Sequence, residues 1–413
     1  MSHIDDLAAF VGASPSSFHA ARQSADRLVA DGFTELDERQ PWSLQPGGFV
    51  VVRDGSFIAF RVPDPPDGFR IVGAHTDSPG FKVKPESLLW ASGWRQVGLE
   101  VYGGPLPNSW LDRELGIAGR VVTRAGVEHL VRTPAWLRIA QLAIHLDRSQ
   151  GEKLALDRQH HLQPVFGIGA PVDVLDLVAT EAGVEPGEVA GHDLFAYVAQ
   201  PPEVFGPQND LFASGRLDNL SSVHAGLRAL QVAEPGPDVQ LLACFDHEEV
   251  GSASATGAAG AFLETVLSRI AASLGRTPAE HAAALARSTC VSADAGHAVH
   301  PNYAHLHDPA HRPLLNRGPL LKTNANQRYA TDALGAAMWR RACAEAGVPT
   351  QTFVSNNDVP CGSTIGPITA TRLGIRTVDV GIPLLSMHSA RELAGAHDPG
   401  YLAAALGAYL SGA

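Results

Sequence analysis

The sequence predicts an α/β fold: a mainly parallel sheet flanked by helices, with a β-rich domain inserted into it. Two observations carry this. From residue 218 onward, short apolar runs alternate with helical patterns, which places helices on both faces of a parallel sheet. Between residues 88 and 207 the pattern changes to strand-like runs separated by turns, with few clustered polar groups. The expected division is one domain built from residues 1–87 and 208–413, and an inserted domain of residues 88–207.

Ser14-Pro15 opens the first helical pattern. Phe18, Ala21, Ala25 and Leu28 recur at helical spacing up to residue 29, and Pro15 suits a first turn. Residues 49–53 and 56–62 read as strands joined by Asp54-Gly55, a two-residue hairpin signal. Residues 69–74 form an apolar strand that stops at His75-Thr76-Asp77-Ser78-Pro79-Gly80. In the insertion, residues 97–102, 119–123 and 127–132 read as strands, 136–145 as a strand or short helix, and 172–182 as a helix. The alternation then begins with a helix at 220–230, a buried strand at 239–245, a helix at 258–274 ending at Gly275, and a strand at 289–293. It continues with a helix at 331–346, a strand at 351–354, a helix at 365–373 stopped by Gly374, a strand at 376–380 and a last helix at 398–410.

A chain of 413 residues can bury a sizeable core, and 45% hydrophobic residues is ordinary for a globular protein. With 43 acidic against 31 basic residues the formal charge is −12, and no Lys/Arg cluster marks a nucleic-acid surface. No apolar run reaches the roughly 20 residues that span a bilayer. The start, MSHIDDLAAFVG, lacks the basic opening and apolar core of a secretory signal. Cys244, Cys290, Cys343 and Cys361 form no CxxC pair and read as free thiols of a reducing compartment. The expectation is a cytoplasmic protein with neither nucleic acid nor membrane as partner.

Four segments repeat one arrangement, an apolar strand followed by a loop of metal-ligand residue types. They are Ile71 to Asp77, Leu241 to Glu249, Val291 to Asp294, and Val378 to Gly381 running on to Met387-His388-Ser389. Ligands gather outside the carboxyl ends of strands in open α/β sheets, so distant segments can converge on one site. A mixed set of histidines and carboxylates suits zinc or a similar divalent metal. Asp218, where a loop turns into a helix, is the candidate carboxylate shared by two ions, and Asp77 is the candidate partner for the second ring nitrogen of His75. Glu248-Glu249 offers two adjacent carboxylates, one to bind metal and one to act as general base; the spacing alone does not say which is which. Taken singly, Asp294 reads as a helix cap, His388 as a core histidine and Lys322 as a surface lysine; together the signals reinforce one another.

The strings GAHTDSPGFKVKP, GRLDNLSS, FDHEEVGS, SADAGHAVHPNY, KTNANQRY, NDVPCGSTIGPI and MHSARE occur in this order. Together they resemble the aspartyl aminopeptidase family of dinuclear zinc peptidases, and with SPSSFHA the likeness runs from Ser14 to Glu392. The resemblance implies an aminopeptidase that prefers Asp or Glu at a free peptide N-terminus and uses two divalent ions, zinc by preference, with cobalt or manganese as alternatives. It implies His75 and Asp294 on one ion, Glu249 and His388 on the other, Asp218 as the bridge, Asp77 behind His75 and Glu248 as general base. It further implies a cis Asp218–Asn219 peptide, Lys322 meeting the acidic side chain of the substrate, and His145 reaching a neighbouring subunit's active site. The assembly implied is a tetrahedral dodecamer whose dimer contacts come from the inserted domain. The rival readings are a dinuclear carboxypeptidase or amide deacylase, and a catalytically inactive assembly protein.

Overall fold

Four strands, in the spatial order Val239–Phe245, Phe69–His75, Thr289–Ala293 and Arg376–Gly381, run parallel at the centre of a nine-stranded sheet. The computed structural model describes residues 2–64 and 66–413. Every residue of Val239–Phe245 is buried, as befits a parallel strand covered on both faces. Alternate side chains serve two separate cores. Val72, Ala74, Leu242 and Cys244 join one cluster, with Leu220, Trp339, Leu402 and Tyr409 from helices on that face. Ile71, Leu241, Ala243 and Phe245 join the other, with Phe262, Val266, Ile270 and Ile365. The hairpin Gly47–Arg53 with Ser56–Val62, joined at Asp54-Gly55 as the dipeptide predicts, extends one side of the sheet; Leu320–Thr323 and Gln351–Val354 extend the other.

A six-stranded sheet is built from Gly80–Ala91, Trp94–Tyr102, Leu115–Thr123, Glu128–Arg132, Val165–Ile168 and Val189–Val198. It has its own core, which includes Phe81, Val97, Ile117 and Leu194. Its strand Gly80–Ala91 continues through residue 88 without a break. A small third sheet pairs Leu211–Ser214 with Glu392–Gly395 and places Glu392 beside Asp218.

Most helices follow the sequence pattern, with three departures. Residues 136–145 are neither strand nor helix; isolated bridges such as Leu115↔Leu137 hold this stretch instead. The helix expected from 258 is Phe262–Ser273, because Gly257 and Gly260 sit in a tight turn where a Cβ on Gly257 would lie 2.1 Å from Ser252 O. Two further helices, His3–Ala13 and Pro278–Arg287, lay outside the pattern read above, although each opens with a capping box, Ser2 with Asp5 and Thr277 with Glu280. Among the described residues, no helix is long and apolar enough to cross a membrane. The strands deliver their loops to one edge: His75 is the last residue of its strand, while Asp294 and the run from Asp246 to Glu249 directly follow theirs.

Candidate metal centre

His75 points its Nε2 at Asp218 Oδ1, 3.3 Å away, and at Asp294 Oδ1, 3.7 Å away. His388 points its Nε2 at Asp218 Oδ2 and Glu249 Oε2, each at 3.5 Å. The two oxygens of Asp218 therefore face two different imidazoles. Single ligand atoms of His75, Asp218 and Asp294 lie within 4.8 Å of one another, as do those of Asp218, Glu249 and His388. A third grouping of the same kind joins His75, Glu248 and Glu249.

Local backbone geometry places these groups. Asp218 enters from Arg216, which has φ 63°, and the Asp218–Asn219 peptide is cis. The Asn219 side chain donates to Ala293 O at 2.8 Å and ties this turn to the residue before Asp294. Glu248 and Glu249 begin a short 3-10 turn after His247, which also has a positive φ. Their two amide N–H groups both donate to Asp77, to Oδ1 and Oδ2 respectively, at 3.1 Å each.

Each imidazole has an oxygen behind it. His75 Nδ1 meets Asp77 O at 3.1 Å, and His388 Nδ1 meets Gly104 O at 3.1 Å. A carbonyl oxygen can only accept, so both Nδ1 atoms carry the proton and a neutral ring presents its Nε2 lone pair inward. At His75 that lone pair confronts the Asp218 and Asp294 carboxylates. Burial alone would lower the His75 pKa, but its contacts with Asp218, Asp294 and Asp77 hold it well above the usual value. A bound cation would take the place of that extra proton.

The carboxylates pose the same demand. Desolvation pushes Glu248 up to about 7, with Asp294, Asp218 and Asp77 adding repulsion, and pushes Glu249 well above its ordinary value. Asp218 Oδ1 and Glu249 Oε1 are buried without a hydrogen-bond partner. Unpaired buried carboxylate oxygens are costly, and a divalent ion with nitrogen and oxygen ligands answers them. These residues fit zinc in kind and arrangement.

The other expected residues divide. Asp77 lies behind His75, with its Oδ1 3.4 Å from His75 Nδ1. Lys322 is buried beside the centre, donates to Ala295 O at 2.7 Å and lies 4.0 Å from Asp294 Oδ1. His145 is exposed in a surface turn of the chain and is not brought to this centre within one molecule. Two groups escaped the sequence reading. Glu392 accepts the backbone N–H groups of Asp218 at 3.0 Å and His388 at 2.7 Å; it lies in the MHSARE string but carries no ligand-like signature. Tyr102 donates its hydroxyl to Asp77 Oδ2 at 2.8 Å, and nothing in its own strand announces this.

A family model described as aminopeptidase I zinc metalloprotease (M18) matches residues 10–410. A probable M18 family aminopeptidase 2 of Streptomyces coelicolor is 52% identical over 99% of this chain and 97% of its own length. The protein of that name from Mycobacterium leprae is 45% identical over 98% of each chain. Among solved structures, Ape4 in its complex with Nbr1 superposes with a TM-score of 0.95 at 35% identity, covering 99% of this chain and 85% of that one. A chain of the S. cerevisiae mApe1 dodecamer does so at 0.88 and 27% identity, over 99% and 96%.

Proposed function

The chain belongs to the M18 family of zinc metalloproteases and is a metal-dependent aminopeptidase, and from that premise we propose that it removes acidic N-terminal residues from peptides at a two-zinc centre. The observation that carries the two-ion reading is the placement of Asp218, one carboxylate oxygen towards each imidazole. His75 and Asp294 would hold one ion, Glu249 and His388 the other, and Asp218 both. When bound, zinc supplies Lewis acidity that polarises the scissile carbonyl and makes water easier to deprotonate. Glu248 takes the proton from the attacking water and passes it to the departing amine. Its carboxyl pKa, raised towards neutrality by desolvation, suits a group that must first accept and then return a proton. Asp77 fixes the turn that carries Glu248 through the paired amide contacts.

The acidic preference rests on Lys322 and on the adjoining hollow. A cavity of about 240 Å³ is lined by His297, His300, His307, Tyr329 and Asn356, among others, and no carboxylate lines it. Lys322 Nζ stands 5.4 Å from the ring of Tyr329, one of the residues of this wall. A buried ammonium and a wall free of acids favour a substrate carboxylate. Replacing Lys322 with Ala is expected to lower kcat/KM on aspartyl-p-nitroanilide by about 10–150-fold, the worth of a charge-assisted hydrogen bond. Hydrolysis of leucyl-p-nitroanilide should change only a few-fold. An equal loss on both substrates, with zinc content unchanged, would remove Lys322 from the specificity role.

Residues 88–207 act as the self-association part of the molecule in this reading, building a tetrahedral dodecamer. Leu142, Ile144 and Leu146 are exposed on the same short segment as His145, and Trp90, Trp94 and Ile168 are exposed on the six-stranded sheet, where Trp94 pairs with Ile168. Burial of this apolar surface between copies would carry His145 to a partner's centre, where it would stabilise the oxyanion.

A further inference from the structure

The two imidazoles of the metal centre are 313 positions apart in sequence (75 and 388), yet one short segment of the six-stranded sheet holds both. Tyr102 ends the strand Trp94–Tyr102. Its hydroxyl donates at 2.8 Å to Asp77 Oδ2, and Asp77 Oδ1 lies 3.4 Å from His75 Nδ1. Two residues later, Gly104 O accepts from His388 Nδ1 at 3.1 Å. The segment then stays on the second imidazole's loop: Leu106 N–H donates to His388 O at 2.9 Å, and Ser109 Oγ accepts from Ala390 N–H at 2.8 Å. Between these anchors Gly103 has φ 66°, and a Cβ there would come within 3.2 Å of Glu249 Cβ and O. The phenol is itself fixed by its sheet, because its ring packs edge-on, across the intervening strand Gly80–Ala91, against Phe195 of the strand Val189–Val198, centroids 5.3 Å apart.

We infer that residues 102–104 form a positioning strap through which the six-stranded sheet sets the zinc affinity of the centre, with Tyr102 acting on the His75 side and Gly104 on the His388 side. The inference rests on the ion assignment proposed above. Its physical basis is that a ligating imidazole is aimed by the partner of its other nitrogen, and a ligating loop by the groups its amides bind. Removing the Tyr102 hydroxyl leaves Asp77 Oδ2 with the Glu249 amide alone. The carboxylate can then rotate, and His75 and the Glu248–Glu249 turn lose their common reference.

The test is zinc competition against a chromophoric chelator, run on the full chain as wild type, Tyr102→Phe, and Phe195→Leu. The last variant loosens the ring's support without touching Asp77. Tyr102→Phe is expected to weaken at least one of two zinc sites by about 10–100-fold. Its metal-free form should melt at the wild-type temperature, and Phe195→Leu should weaken zinc less than Tyr102→Phe does. Two sites of wild-type affinity in Tyr102→Phe would overturn the strap. So would an equal or larger loss in Phe195→Leu, which would reduce Tyr102 to sheet packing. If Tyr102→Phe melts early, Gly103→Ala supplies the second probe: at its positive φ, with Glu249 against the new Cβ, it must weaken zinc, and unchanged affinity there would also overturn the strap. A wild-type protein that takes up fewer than two zinc ions contradicts the ion assignment itself, whatever the variants do.

Discussion

Replacing Glu248 with Gln is expected to leave both zinc ions bound and to cut kcat by about 10²–10⁴-fold, the usual contribution of a positioned acid–base group. Glutamine keeps the size and hydrogen-bonding reach of the side chain but cannot accept and return a proton. The backbone of this residue is anchored independently, through its amide on Asp77 Oδ1. The variant also separates two arrangements that the geometry contains, since Glu248 falls in a grouping with His75 and Glu249 as well as standing free as a base. A base lost from an intact centre lowers kcat with zinc content unchanged. A ligand lost lowers zinc content too, and retained activity would remove Glu248 from catalysis. Steady-state kinetics with zinc measured on the same sample decides among these outcomes.

Replacing Asp218 with Ala is expected to abolish measurable turnover and to weaken both zinc sites together. His75 and His388 each lie against a different oxygen of this carboxylate, so its loss reaches both halves of the centre. His388→Ala, by contrast, should weaken only one site. The Asp218→Ala variant should also lose the stabilisation that excess zinc gives the wild type, about 2.7 kcal/mol for one site at 100 times Kd. A variant that still gains full stability from zinc would show that Asp218 is not shared.

The candidate centre was legible largely in short strings because the residues proposed as its ligands sit at or just beyond the ends of strands or in the loops that follow them. Apolar runs such as 69–74 and 239–245 mark buried parallel strands, and the chain must leave the sheet where they stop. The polar residues found there, His75 and the Asp246 to Glu249 run, have nowhere to point but the shared edge. The choice between Glu248 and Glu249 was not readable in this way, since adjacent carboxylates look alike until the fold turns Glu249 towards His388. Tyr102 and Glu392 were missed for a related reason. Their work is done on backbone amides and a distant carboxylate, through contacts such as Tyr102 with Asp77 and Glu392 with Asp218, and no local pattern records a partner 25 or 174 positions away. Residues 136–145 misled because Trp136, Leu137 and Ile139 supply apolar side chains to a core without forming an element; Leu137 and Ile139 are buried although their backbone makes only isolated bridges. The opening helix His3–Ala13 has a readable capping box at Ser2 and Asp5, a signal that goes unused when the stretch is weighed only against the pattern of a secretory signal.

The most direct measurement is anomalous diffraction at the zinc absorption edge from crystals of the metal-loaded protein. Two peaks roughly 3.5–4 Å apart are expected, one on each oxygen of Asp218, with His75 and Asp294 around the first and Glu249 and His388 around the second. A single peak, or peaks that leave Asp218 outside their coordination, would contradict the two-zinc centre and the division of residues built on it.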